Sequence, residues 1–143
     1  MSVHRALGAL AVAVFVLAGC NKTADKGKTE DQLVSAGFTK DQATCITNDV
    51  WDKIPKSERD KLTDPKAELT EGQKTVFLTA TVKCARDKVV EQITSGLSGA
   101  SSSITADQVT CITGKLTDDD LVNALNGKTD AITTAVTSCV PAS

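Results

Sequence analysis

The sequence predicts an all-α protein, a small bundle of about five or six helices, and three observations carry that reading. Threonine followed three residues later by glutamine recurs at four places where an apolar pattern begins. Apolar residues then repeat at spacings of three and four. No stretch alternates apolar and polar residues for long enough to make a half-buried strand. Hydrophobic residues make up 41% of the chain and charged residues 24%, as in ordinary globular proteins. Aromatic residues make up only 3%. The core must therefore be built from Val, Ile, Leu and Ala.

The chain opens with MSVHRALGALAVAVFVLAGC. Arg5, with His4, forms a basic start, and an apolar run from Ala6 to Ala18 follows. That run is shorter than the ~20 residues needed to cross a bilayer, and it fits the apolar centre of a signal peptide. Its end, Leu17-Ala18-Gly19-Cys20, resembles the lipobox of bacterial lipoprotein precursors. The resemblance implies cleavage before Cys20 and attachment of diacylglycerol and palmitate-type acyl chains to that cysteine. Two acyl chains anchor firmly where one does not. Residues 1–19 are thus expected to be a signal peptide. Residues 20–30, the lipidated cysteine and a polar stretch NKTADKGKTE, are expected to be a flexible tether. Thr23 and Thr29 in it are candidates for O-linked sugars. Asn21 in place of aspartate leaves outer-membrane sorting open.

A single helical domain is expected over residues 31–143. Helix starts are marked by capping boxes, in which the threonine hydroxyl takes a free backbone N–H and the glutamine amide reaches back. The pairs are Thr29 with Gln32, Thr39 with Gln42, Thr70 with Gln73, and Thr105 with Gln108. Thr117, followed by Asp118, Asp119 and Asp120, is a related start that suits the positive end of a helix dipole. Ala43, Ile46, Val50 and Ile54 make one apolar stripe, and Leu78, Val82, Ala85, Val89 and Ile93 another. Leu121 with Leu125, and Ile132, Ala135, Val136 and Val140, make shorter ones. Gly37, Gly96, Gly114 and Gly127 are placed as helix stops. Ile54 before Pro55 is pushed out of helix. Residues 55–69 read as a solvated loop with room for one helical turn, and 95–103 as a Gly/Ser linker.

The phrase TKDQATCIT at 39–47 returns as TADQVTCIT at 105–113, and TATVKC at 79–84 is echoed by TAVTSC at 134–139. Two pseudo-repeated units, about 38–95 and 104–140, are the expected organisation. After export and lipidation of Cys20, four cysteines remain in an oxidising compartment, which favours two disulfides. Three connectivities are possible. The repeat favours Cys45–Cys84 and Cys111–Cys139, closing loops of about 40 and 29 residues and worth on the order of 3–4 kcal/mol each in the chain-entropy model.

Several chemistries are disfavoured. His4 is the one histidine and lies in the signal segment. The exported chain would then lack histidine for a general base, a nucleophile's partner or zinc. No C-x-x-C occurs, and the cysteine spacing is too wide for a metal site. Asp118 to Asp120 lack the alternate-position spacing of a calcium loop. Asp49 and Asp52, or Glu58 and Asp60, are not set as an acid and base pair. Ser57, Ser95, Ser98 and Ser101 to Ser103 stand in no nucleophile elbow. Trp51 is expected as a core or semi-buried anchor. The net charge of −2 and the scarcity of aromatics argue against a nucleic-acid partner.

Residues 38–140, with their T-x-x-Q-x-x-C helix starts and a later cysteine-bearing helix, also resemble a group of small actinobacterial exported helical proteins. That resemblance implies helical architecture and export and carries no activity, cofactor or metal. The expected function is a non-enzymatic binding or structural role in the cell envelope, lipid-anchored on the extracytoplasmic side of the cell or outer membrane. Its partners would be the membrane and an envelope protein. The alternative expectation is a carrier of a lipid or other apolar small molecule between its helices.

Overall fold

In a computed structural model the described residues are 25–64, 67–97 with the backbone of 98–100, and 104–140. They form α1 (Lys26–Ser35), α2 (Lys40–Lys53), a 3-10 helix (Lys56–Leu62), α3 (Glu71–Ala100), α4 (Ala106–Lys115), α5 (Asp118–Leu125) and α6 (Asp130–Cys139). No strand occurs among the described residues. The all-α fold with two disulfide staples is therefore as expected, with a short 3-10 helix beyond the six α-helices. The described residues divide into two compact units, 25–85 and 86–140.

The first unit starts earlier than the Thr29/Gln32 pair suggests. Asp25, in extended conformation, caps α1 by accepting from the Gly27 N–H at 2.9 Å. Thr29 lies inside the helix, buried, with its hydroxyl directed to the Asp25 carbonyl at 3.4 Å. A residue with helical neighbours on both sides cannot act as an N-cap, and the buried Gln32 Oε1 accepts no bond. The expected tether thus gives way to helix from residue 26, and burial closes Thr29 to sugar attachment. The end of α1 follows expectation. Gly37 has φ +93°, the Phe38 N–H returns to the Leu33 carbonyl and the Gly37 N–H to Val34. This Schellman arrangement requires a residue that tolerates positive φ.

Thr39 and Gln42 form the expected reciprocal box, with bonds of 3.2 and 3.0 Å. Helix α2 then turns Ala43, Ile46 and Val50 inward, each with no exposed surface. They pack with Leu33, Phe38, Ile54, Leu62, Ala80 and Ala85 in one cluster, flanked by half-buried Trp51, Leu69, Val76, Phe77 and Cys84. Burying each aliphatic side chain is worth about 1.5–3 kcal/mol. Ile54 is extended before Pro55, so α2 stops there. The solvated loop expected over 55–69 contains the 3-10 helix, which buries Leu62.

Helix α3 follows its Thr70/Gln73 box, with bonds of 3.3 and 2.9 Å. It differs from expectation at two points. Ala85 is non-helical (φ −143°, ψ 41°), so two helices meet there. No glycine or proline marks the break. It falls between Cys84 and Arg86, both of which are committed to other parts of their own units. The second half also continues through Gly96 to Ala100. The expected Gly/Ser linker is thus helical over 95–100, because a helical glycine costs only ~1 kcal/mol and the buried stripe Val89, Ile93 and Leu97 holds the helix in place.

The second unit contains this half of α3 together with α4, α5 and α6. Thr105 and Gln108 cap α4 reciprocally, and Thr117 with Asp120 caps α5. Gly114 does not stop α4. It lies inside the helix, which ends when Leu116 turns extended and is buried. Gly127 does stop α5. It has φ +81°, and the Lys128 N–H returns to Asn123 in a second Schellman arrangement. Helices α4 and α5 both lie against α6. Ile112, Leu121 and Ile132 are fully buried.

Candidate functional site

The cysteines pair as Cys45–Cys84 and Cys111–Cys139, with Cα atoms 5.8 and 5.9 Å apart. Both separations are ordinary for a disulfide. In each unit the first cysteine sits six residues after the capping threonine and is exposed, while its half-buried partner closes a later helical segment. Cys84 is the last residue before the break at Ala85, and Cys139 is the last residue of α6. None of the four is free to act as a thiol nucleophile or metal ligand.

Asp49 accepts from Lys53 at 2.6 Å and from Lys83 at 2.8 Å. The bond from Lys53, then that from Lys83, holds its carboxyl below the ordinary 3.8. Lys83 precedes Cys84, and Asp49 lies one turn beyond Cys45. Ion pair and disulfide therefore join the same two helices, α2 and α3. The Asp49–Lys53 spacing is legible in the sequence as an i,i+4 pair; Lys83, 34 residues away, is not. Gln73, already part of a capping box, donates its amide to the Glu58 carboxylate on the 3-10 helix. Trp51 is half-buried against the core cluster. The Arg59 guanidinium stands 5.2 Å from its ring centroid, while Arg59 Nε donates to the Ile54 carbonyl at 3.0 Å. The tryptophan is thus an anchor, with a cation–π contact on its face.

In the second unit Arg86 donates to the Leu116 carbonyl, which ends α4, and to Asp118, which begins α5, each at 3.0 Å. This residue had no sequence signal, because both partners lie 30 or more positions away. Of the acidic run, Asp118 is held by Arg86, and Asp120 accepts from the Thr117 hydroxyl and N–H. The Thr117 hydroxyl, then its N–H, lowers the Asp120 carboxyl below its ordinary value. Two of the three aspartates are thus occupied in shaping a helix junction. Among the described residues no three of His, Cys, Asp and Glu gather to hold a metal ion. A shallow open depression along α6 is lined by Thr133, Thr134, Thr137 and Ser138. Each of these hydroxyls donates to a carbonyl of its own helix or of Thr129 just before it.

Ser57 lies in the 3-10 helix and Ser95 in α3. Cys20, Thr23, the side chain of Ser98 and Ser101 to Ser103 lie outside the described residues. No described helix is long and apolar enough to cross a membrane. Compared with known proteins, the chain matches no family model, no curated protein and no solved structure.

Proposed function

We propose that the protein is an exported lipoprotein, anchored through Cys20 and facing the extracytoplasmic side, with a non-enzymatic binding or structural role in the cell envelope. The observation that carries this reading is the pairing of Cys45, Cys84, Cys111 and Cys139 in two disulfides. Structural disulfides of this kind belong to oxidising compartments. The lipobox-like ending Leu17-Ala18-Gly19-Cys20 supplies the anchor. The role is binding or structural because the prominent polar side chains, Asp49, Asp118, Asp120 and Arg86, hold helices together.

The test is acyl labelling of the full chain expressed in a bacterial host with a lipoprotein pathway. Cys20→Ala should abolish incorporation of labelled palmitate and move the protein out of the membrane pellet. Equal labelling and pelleting of wild type and variant would overturn the proposal. Capture of envelope proteins on the tagged mature chain then identifies the partner.

A further inference from the structure

We infer that Cys111–Cys139 is a thiol-sensitive latch on α6, and that opening it loosens this helix while the Cys45–Cys84 pair stays closed. As whole residues the two pairs are alike in exposure: Cys45 and Cys111 are exposed, and Cys84 and Cys139 are half-buried. Access therefore does not distinguish them. What differs is what else holds the two cysteines of each pair close together.

Helix α6 is a poor helix by local chemistry. Thr129 makes no side-chain cap, and the last turn carries no basic residue. Half of its ten residues are β-branched (Ile132, Thr133, Thr134, Val136 and Thr137), a class that loses rotamer freedom in a helix. Its buried side chains are Ile132 and Ala135. Among the described residues no ion pair or side-chain hydrogen bond joins α6 to another helix. Its cross-link is the disulfide at its last residue. On the α2–α3 side, Asp49–Lys83 bridges the same helices as Cys45–Cys84 at 2.8 Å. There α3 also has its capping box, and Gln73 ties that box to Glu58.

A disulfide resists reduction in proportion to the effective concentration at which the folded reduced chain holds its two thiols. With the first pair reduced, the ion pair and capped helices still hold Cys45 beside Cys84. With the second pair reduced, α6 frays from its C-terminal end and Cys139 drifts from Cys111. The reductant is a dithiol. One of its thiolates attacks the sulfur of Cys111, an exposed residue, and Cys139 leaves as a thiolate and takes a proton from water. The second thiol of the reductant then displaces Cys111 and leaves as a disulfide, so two electrons pass to the protein. Freed from α6, α4 and α5 present the apolar surface around Ile112 and Leu121, both fully buried while α6 lies against them.

The test is a dithiothreitol titration of the full mature chain, with alkylation of new thiols, peptide mapping and hydrogen exchange. Cys111 and Cys139 should become alkylated at about tenfold lower dithiothreitol than Cys45 and Cys84. Exchange over 130–139 should then quicken at least about tenfold, with 40–53 unchanged. The C111S/C139S double variant should reproduce the fast exchange without reductant, and C45S/C84S should leave α6 protected. The inference fails if both pairs open together, if Cys45–Cys84 opens first, or if α6 keeps its protection once its disulfide is open.

Discussion

The phrases TKDQATCIT and TADQVTCIT let two regions of one chain be compared almost residue by residue. Their first turns are alike: both threonines accept from the glutamine N–H, and both glutamines return the bond. Ile46 and Ile112 are both fully buried, and the cysteine before each is exposed and disulfide-bonded. The likeness ends at the last residue. Thr47 has no exposed surface, and its hydroxyl has no hydrogen-bond partner. Thr113 is half-buried, and its hydroxyl donates to the Val109 carbonyl at 3.0 Å. The beginning of each phrase is governed by contacts within four residues, and its end by what the fold sets against it. The downstream regions diverge further. Phe38, Trp51 and Phe77 all belong to the first unit, while the second packs aliphatic residues alone.

The largest expected effects lie at the two isoleucines. Ile46→Ala and Ile112→Ala should each cost about 2–5 kcal/mol, read by hydrogen exchange so that each unit reports separately. A cost confined to one of them would show that the shared phrase does not define a shared core position. Next come the two threonines that differ. Thr47→Val removes an orphaned buried hydroxyl at constant shape and should stabilise by about 1–2 kcal/mol, whereas Thr113→Val should be within about 0.5 kcal/mol of neutral. Equal responses in chemical denaturation would erase the distinction.

The caps should behave alike. Thr39→Ala and Thr105→Ala should each cost about 1 kcal/mol, and a difference beyond about twofold would mean that a cap depends on its unit. The smallest effect concerns acid. Asp49 titrates lower in the folded chain than when unfolded, so its contribution is complete above the ordinary 3.8 and fades as pH falls through the folded value. Asp49→Asn should therefore flatten the stability profile of the first unit below about pH 4, by under ~1 kcal/mol because both lysine partners are solvent-exposed. A profile unchanged by the substitution would remove the ion pair as a second tie beside Cys45–Cys84.

Helix starts at Thr39, Thr70, Thr105 and Thr117 are legible in the sequence because capping chemistry acts over three residues. The stops at Gly37 and Gly127 are legible because positive φ favours glycine. The first helix start is not legible in this way: Asp25 outcompetes Thr29, and the two caps differ by only a few tenths of a kcal/mol locally. Gly96 and Gly114 do not act as stops either, because a buried stripe or a buried Leu116 outweighs the small helical cost of glycine. The pairing of cysteines is legible through the repeat. The Asp49–Lys83 and Arg86–Leu116 ties are not, since they join residues more than two dozen positions apart.

All-α architecture, capped helix starts and the stapling cysteines follow from sequence alone, because each rests on short-range chemistry or on a repeated phrase. The packed chain alone decides the break at Ala85, the orphaned hydroxyl of Thr47, and the extra tie beside one disulfide that its counterpart lacks. Those features depend on which distant side chains arrive at the same place, and no local energy encodes that.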